Sequence, residues 1–451
     1  MHACRLISRT LIALALAQLS WAAGVRAQVT HTIIAASGTA APAGGNFFGF
    51  INIASNTRGD VAFDALLGGP STSGVFVRQH STTSAIALGG DPDPSAGNFG
   101  FVGAPSISSN GDVIFDTDDA ILRSDGRSVV PLMQNGDAAP GGGSLILAGS
   151  HVANAQESIA YGAIVTDAVR TQGIFRNDGG HTVAIADDTT AAPTGGTFLF
   201  FGAPVIDQHG RVAFFAGTTG PADFGIYRGD GATTTAIFAA NQSAPGGGTF
   251  VDFSDPLINK RGQVLAQAIL DGPSAAGLFL GDGSDAIAIA LSGAAASAGG
   301  SYGIFSGPLS LNDRGESAFA VFLTGGASRS GIFRGDGTTT TTIALQGTAA
   351  PGTTGTFDTF RDMKLGKDGT VAFIGTLTLG VGGVDFSNNI GIWVGTSDTD
   401  LQLLARSGEI IGGKTVTRPQ TLGPLEINQS PILWLGRFSG NSTALVSSDL
   451  D

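Results

Sequence analysis

The sequence predicts an all-β protein, a β-propeller of four-stranded antiparallel blades, eight in number, with the N-terminal strand closing the last blade. Three observations predict it: a motif that returns about every fifty residues, four strand signals inside each repeat, and an unusual pairing of glycine with apolar content. Glycine fills 70 of 451 positions, yet 42% of the residues are hydrophobic. That much glycine demands frequent turns, and that much apolar surface demands a core rather than a disordered linker.

The motif reads Asn-x-x-Gly-x-Val-Ala-Phe. It stands complete from Asn56 to Phe63 and returns from Ser108 to Phe115, Asp207 to Phe214, Asn312 to Phe319 and Gly366 to Phe373. Weaker copies run from Asn154 to Tyr161, Asn259 to Ala266 and around Asn428 to Leu435.

Within each repeat the first strand is marked by Phe-x-x-Phe, often followed by Pro, as at Phe198, Phe201 and Pro204. The Val-Ala-Phe run is the second strand, and Gly-Ile-Phe-Arg the third, at Gly173 to Arg176 and Gly331 to Arg334. An Asp-Gly pair such as Asp230-Gly231 then leads into a Thr-rich fourth strand; Asp-Gly between strand-like runs signals a tight hairpin with positive φ at both central residues. Pro105, Pro204, Pro256, Pro308 and Pro424 recur in the first strand, which as a sheet edge tolerates a missing donor. A fourth-strand signal, Thr30 to Ala36, opens the chain after its leader, and a third-strand signal, Thr443 to Val446, lies near its end. Pairing them closes the ring and hides an edge; seven blades result if the degenerate last copy packs differently.

Residues 1–27 read as a secretory signal: Arg5 and Arg9, an apolar run from Leu11 to Ala17, and Val25-Arg26-Ala27 before Gln28. The expected organisation is this leader followed by one propeller domain over 28–451, exported to the periplasm, cell surface or medium. The whole chain carries a net charge of −13, which disfavours nucleic acid and anionic lipid. The apolar run is too short to span a membrane. The one cysteine, Cys4, lies in the leader, so no disulfide, thiol nucleophile or thiolate metal site is expected beyond it.

At Asn56-Thr57-Arg58-Gly59-Asp60-Val61-Ala62-Phe63 the chain resembles the NxxGxxAF tandem-repeat family of exported bacterial proteins, in which a repeat array precedes varied C-terminal surface anchors. The resemblance runs through nearly all of the chain after the leader and implies no activity, cofactor or catalytic residue. Asn441 to Asp451 has neither an apolar helix nor a basic tail, so no anchor is expected there.

Other motifs dissolve into the repeat. Gly299-Gly300-Ser301-Tyr302-Gly303 fits the hydrolase nucleophile elbow, but Ser301 takes the place of Asn46, Thr197 and Thr249 in the blade-joining connector. Arg-Gly-Asp at Arg58, Arg228 and Arg334 comes from two different turns, which select Gly and Asp for their own geometry. No calcium loop is present; Asp91 with Asp93, Asp187 with Asp188, and Asp398 with Asp400 are the close acidic pairs. His31, His80, His151, His181 and His209 lack a metal-ligand spacing. Eight-bladed quinone-dependent dehydrogenases carry blade-locking Trp signatures, whereas only Trp393 and Trp434 follow the leader here. Neither metal nor cofactor is expected, and no catalytic residue is assigned.

The loops between second and third strands vary most, from Ala163 to Gly173, Phe215 to Gly225, Ala320 to Gly331 and Ile374 to Gly391. Variable loops on a rigid scaffold are where contacts gather. Sharing a face with the connectors around the channel, they make Asp167, Arg170, Asp223, Phe224, Arg329 and Asp385 the expected binding residues. The expected function is a non-enzymatic binding or scaffold module for a protein or glycan. A hydrolase or lyase of extracellular polysaccharide, its site drawn from several blades, is the alternative, and a self-assembling surface protein the third. Converging carboxylates and histidines at one channel mouth would mark the enzyme, and an exposed aromatic patch the binding module.

Overall fold

The computed structural model describes residues 29–450, apart from 43, 95–96, 168 and 426–430. The leader and the start of the degenerate last copy at Asn428 lie outside these residues. The rest forms eight antiparallel sheets, numbered here as blades 1 to 8 from Asn46 onward. Blade 1 runs Asn46–Ser55, Val61–Gly68, Ser73–Gln79 and Thr82–Leu88, and each later blade repeats that order. In blade 8, Lys414–Leu422, Ile432–Phe438 and Ser442–Leu450 are completed by Val29–Ala36, pairing Val29 with Leu450 and Ala36 with Ala444. His31 reinforces the closure, its Nδ1 2.7 Å from Ser448 Oγ, which also accepts from Trp434 Nε1.

Eight apolar cores close the ring, each shared by two neighbouring blades, and the eighth packs Leu433, Leu435 and Leu445 of blade 8 against Phe47, Phe63 and Phe76 of blade 1. Strand alternation divides the motif between two such cores. Val61 and Phe63 face blade 8 while Ala62 faces blade 2; Val371 and Phe373 face blade 6 while Ala372 faces blade 8. Bulky side chains thus project backwards, and the alanine lets the next blade approach.

The three aromatic signals of a repeat meet in one knot. Phe357 of the first strand sits edge-on to Trp393 of the third at 4.9 Å, and Phe373 of the second stacks on Trp393 at 6.0 Å. Tyr302, Phe319 and Phe333 repeat the arrangement in blade 6. The glycine opening the third strand makes room for this ring: a Cβ at Gly225 would stand 2.8 Å from Tyr227.

The first strands line the central channel, since the ends of those from six blades border one axial cavity. Pro204 and Pro256 sit where the inner strands of blades 4 and 5 break, as expected of an edge. The hairpin expectation needs correction: among Asp230 and Gly231 only Gly231 has positive φ. Asp230 instead accepts from the amides of Ala232 and Thr233, because a carboxylate that caps two turn amides favours the longer loop.

Candidate functional site

The two ends of the channel are built differently. At one end lie the Asn-x-x-Gly turns, hereafter the turn face. In blade 5 Asn259 Oδ1 accepts from the amides of Arg261 and Gln263, each at 3.0 Å, while Nδ2 donates to Asn312 O of blade 6 at 3.1 Å. Asn312 does the same, its Nδ2 reaching Gly366 O of blade 7 at 3.2 Å. An amide side chain can accept from its own turn through the oxygen and donate to the next turn through the nitrogen, which a carboxylate cannot. Where Asp207 replaces Asn, Arg211 supplies the lost donor: it binds Asp207 and reaches Lys260 O at 3.3 Å.

A second set of donors comes from the third strands. Arg176 Nη1 donates to Gly210 O and Arg334 Nη1 to Gly369 O, both at 2.6 Å, and Arg228 donates to Gly262 O in the same way. The arginines at Arg228-Gly229-Asp230 and Arg334-Gly335-Asp336 are therefore spent on blade-to-blade clasps, and Asp230 and Asp336 on turns. Ser301 begins an inner strand, bridged to Ala295 as Asn46 is to Ala40, so its position is the connector's.

At the other end, the connector face, the expected binding residues are spread over blades 3, 4, 6 and 7. Asp167 and Arg170 meet at 2.9 Å, and Arg170 is buried, donating also to Pro140 O and Gly142 O. Amide hydrogen bonds from Arg170 and Val169 hold the Asp167 carboxyl below its ordinary range. Asp223 is exposed, and the half-buried Phe224 stacks on Phe215 at 6.0 Å. Arg329 and Asp385 are exposed, and Asp385 is held below its ordinary range by the Ser387 hydroxyl and amide.

The rim of the channel on this face is made instead by the inner strands. In blades 1, 4, 5 and 6 the inner strand bulges near its start, and a skipped residue turns an apolar side chain to solvent. Pairing jumps from Phe47 to Gly49 in blade 1 and from Phe198 to Phe200 in blade 4, leaving Phe48 72% and Leu199 51% exposed. Val251 and Ile304 are exposed at such bulges and Ile146 in regular pairing opposite Ile164, with Ile269 and Phe322 exposed on the neighbouring second strands. In blade 8 the skipped residue is Thr417, and next to it Arg418 and Arg437 stand directly opposite each other across the strands, both exposed. Among the described residues neither guanidinium has an ion-pair or hydrogen-bond partner. The rim is thus an apolar arc completed by an arginine pair, a signal hidden in sequence because bulges are not visible in strand patterns.

Below the rim, acid and imidazole groups face each other across blade boundaries. Asp64 accepts from Asn52 N at 2.6 Å and Ala104 N at 3.3 Å, and burial raises its pKa despite these bonds. Asp116 Oδ2 lies 3.6 Å from His151 Nδ1. Burial, reinforced by the Asp64 and Asp118 charges, raises Asp116 to about 6, and burial lowers His151 to about 4. Desolvation outweighs the attraction within the pair, so both groups are driven toward neutrality. The close acidic pairs noted in the sequence serve turns: Asp187 accepts from Thr189 and Thr190, and Asp400 from Thr396 and Ser397. No group of three or more His, Cys, Asp or Glu able to hold a metal occurs among the described residues. Nor is any helix among them long and apolar enough to cross a membrane.

Eight four-stranded blades around a channel lined by their first strands define the protein as a β-propeller. Within that class the chain belongs to a family of unknown function (DUF7453), whose model matches residues 17–127 and 116–431. No curated protein matches it in sequence. Among solved structures, a puromycin-hydrolysing peptidase of Mycobacterium tuberculosis is 13% identical with a TM-score of 0.40, over 86% of this chain and 58% of that one. The chain thus spans little more than half of that peptidase. The WD40 domain of SCAP from fission yeast is 8% identical with a TM-score of 0.45, over 94% of this chain and 98% of that one. The polysaccharide lyase Uly1 is 9% identical with a TM-score of 0.35, over 95% of this chain and 100% of that one. None of the three carries an argument about activity.

Proposed function

We propose that the chain is an exported, non-enzymatic binding propeller that grips a projecting segment of a partner protein at the connector-side mouth of its channel. The observation that carries this reading is the apolar arc of Phe48, Ile146, Leu199, Val251 and Ile304, exposed together around one opening. Large apolar side chains gathered in water at one face are costly and mark an interaction site. Arg418 and Arg437 give the segment its second property, a carboxylate, since like charges set opposite each other are destabilising until an anion joins them. Exposed acids on the outer loops, Asp91, Asp119, Asp223, Asp271 and Asp385, disfavour a broad polyanion and suit a narrow segment. Export rests on the leader pattern and on the resemblance to NxxGxxAF repeat proteins.

Photo-crosslinking residues placed at Phe48 and Leu199 in the producing cell test this, with Asp125 on the turn face as control. A discrete protein adduct from both rim positions and none from Asp125 supports the reading. Adducts absent from the rim, or equal at Asp125, refute it. One observation favours the polysaccharide hydrolase or lyase reading, the Asp116–His151 pair; turnover of an extracellular polysaccharide that Asp116→Asn abolishes would establish it.

A further inference from the structure

We propose that a crevice between blades 8 and 1, on the turn face opposite the rim, binds a short acidic oligosaccharide through the guanidinium of Arg78 and the carbonyl of Gly59. The crevice exists because blade 8 lacks an arginine clasp and nothing else among the described residues fills its place over the next turn. In four blades the third-strand position opposite the motif's small or aliphatic residue is arginine: Arg123 opposite Ile114, Arg176 opposite Ala160, Arg228 opposite Ala213, Arg334 opposite Ala318. Each reaches forward to the next blade's turn. In blade 8 the same register places Ser447 opposite Leu433, and serine is too short to reach.

The consequence shows at the next turn. A Cβ at Gly210 or Gly369 would stand 3.2 or 2.0 Å from the clasping arginine, but at Gly59 nothing lies within 4 Å. Among the described residues no donor reaches the Gly59 carbonyl. The space left is a cavity of about 780 Å³, within the range of small-ligand sites.

Its chemistry selects the ligand. Arg78 points into the cavity from the third strand of blade 1, half-buried, with neither carboxylate nor hydrogen-bond acceptor in reach among the described residues. A planar guanidinium in that setting takes a carboxylate by two parallel hydrogen bonds. Asp60 shares the cavity, already bound by Arg58 and Asn56, and its charge disfavours a dianionic phosphate. The bare Gly59 carbonyl calls for a hydroxyl donor. The lining combines apolar groups, Ile34, Pro424, Leu425 and Leu433, with the hydroxyls of Thr32, Ser55 and Ser81. A pyranose with an apolar ring face, hydroxyl edges and one carboxylate, a uronate, matches all four features.

Isothermal titration of the full chain with trigalacturonate, using maltotriose as the neutral control, tests the proposal. Saturable binding of trigalacturonate and none of maltotriose is expected. Arg78→Gln weakens it by about tenfold or more. Ser447→Arg, which introduces the clasp that blades 2, 3, 4 and 6 carry, abolishes binding while raising Tm. Circular dichroism confirms that each variant is folded, and if Ser447→Arg fails to fold, Arg78→Gln decides alone. Absence of trigalacturonate binding, equal binding of maltotriose, or binding that survives Arg78→Gln overturns the proposal.

Discussion

Asn259 of blade 5 donates from Nδ2 to the carbonyl of Asn312 in blade 6, 3.1 Å away, while its Oδ1 holds two amides of its own turn. The first residue of the repeat motif is thus a joint between blades as well as a turn former. Asn259→Asp keeps the acceptor and loses the donor; the Asn312 carbonyl retains the Gly315 amide, so the loss is that of one interblade hydrogen bond, about 0.5–1.5 kcal/mol. Adding Gln263→Arg, which reproduces the Asp207–Arg211 solution of blade 4, recovers most of that loss. Urea denaturation of the single and double variants measures both effects.

Phe319 anchors the knot of blade 6 between Tyr302 and Phe333 and is fully buried. Phe319→Ala leaves a cavity at a blade boundary and destabilises the protein by about 3–5 kcal/mol. Phe322→Ala, three residues along and 52% exposed, changes stability by less than about 1 kcal/mol. Paired denaturant midpoints show whether core and rim separate in this way.

Asp116 and His151 act oppositely on the pH dependence of stability. With its pKa raised to about 6, Asp116 holds a proton in the folded state that the unfolded state has released, so its contribution falls as pH rises from about 4 to 6. His151, lowered to about 4, is neutral in the folded state while the unfolded state is charged, so its contribution grows from about pH 4 to 6.5. Relative to the native protein, Asp116→Asn therefore gains stability from pH 4 to 6, and His151→Gln loses it from pH 4 to 6.5. Each slope is at most about 1.4 kcal/mol per pH unit. Thermal midpoints across this range read the two slopes.

Val29–Ala36 covers the outer edge of blade 8 by pairing along the whole of Ser442–Leu450. Removing residues through Ala36 uncovers that edge, together with the apolar side chains of Leu445 and Val446. An open edge recruits other chains. The truncated protein is expected to associate in a concentration-dependent way by light scattering, and the intact chain to show none of this edge-driven association.

The propeller and its closure were legible because each blade repeats one spacing and because Thr30 to Ala36 and Thr443 to Val446 carry complementary strand signals. The clasps were less so, since their acceptors are backbone carbonyls one blade away. Their trace was nevertheless present in the constant distance from Arg176 to Gly210 and from Arg228 to Gly262, 34 residues in both. The expected binding loops share the connector face, yet Arg170 spends its guanidinium on Asp167 and the connector, and the channel rim falls to the inner strands. Phe48 and Leu199 read as ordinary strand residues; the bulge that turns them outward depends on pairing with the second strand, which no local pattern records. The Asp116–His151 pair was hidden for the same reason, its members lying on different blades.

The most direct test of the connector-side mouth as a binding site is a fluorescence titration with anilinonaphthalene sulfonate, an apolar anion that meets both the arc and the arginine pair. The native protein is expected to bind it saturably, the Phe48→Ser/Leu199→Ser variant to lose the signal, and Arg418→Ser to weaken it. A native protein that leaves the dye dark, or a rim variant that binds it undiminished, would contradict the account.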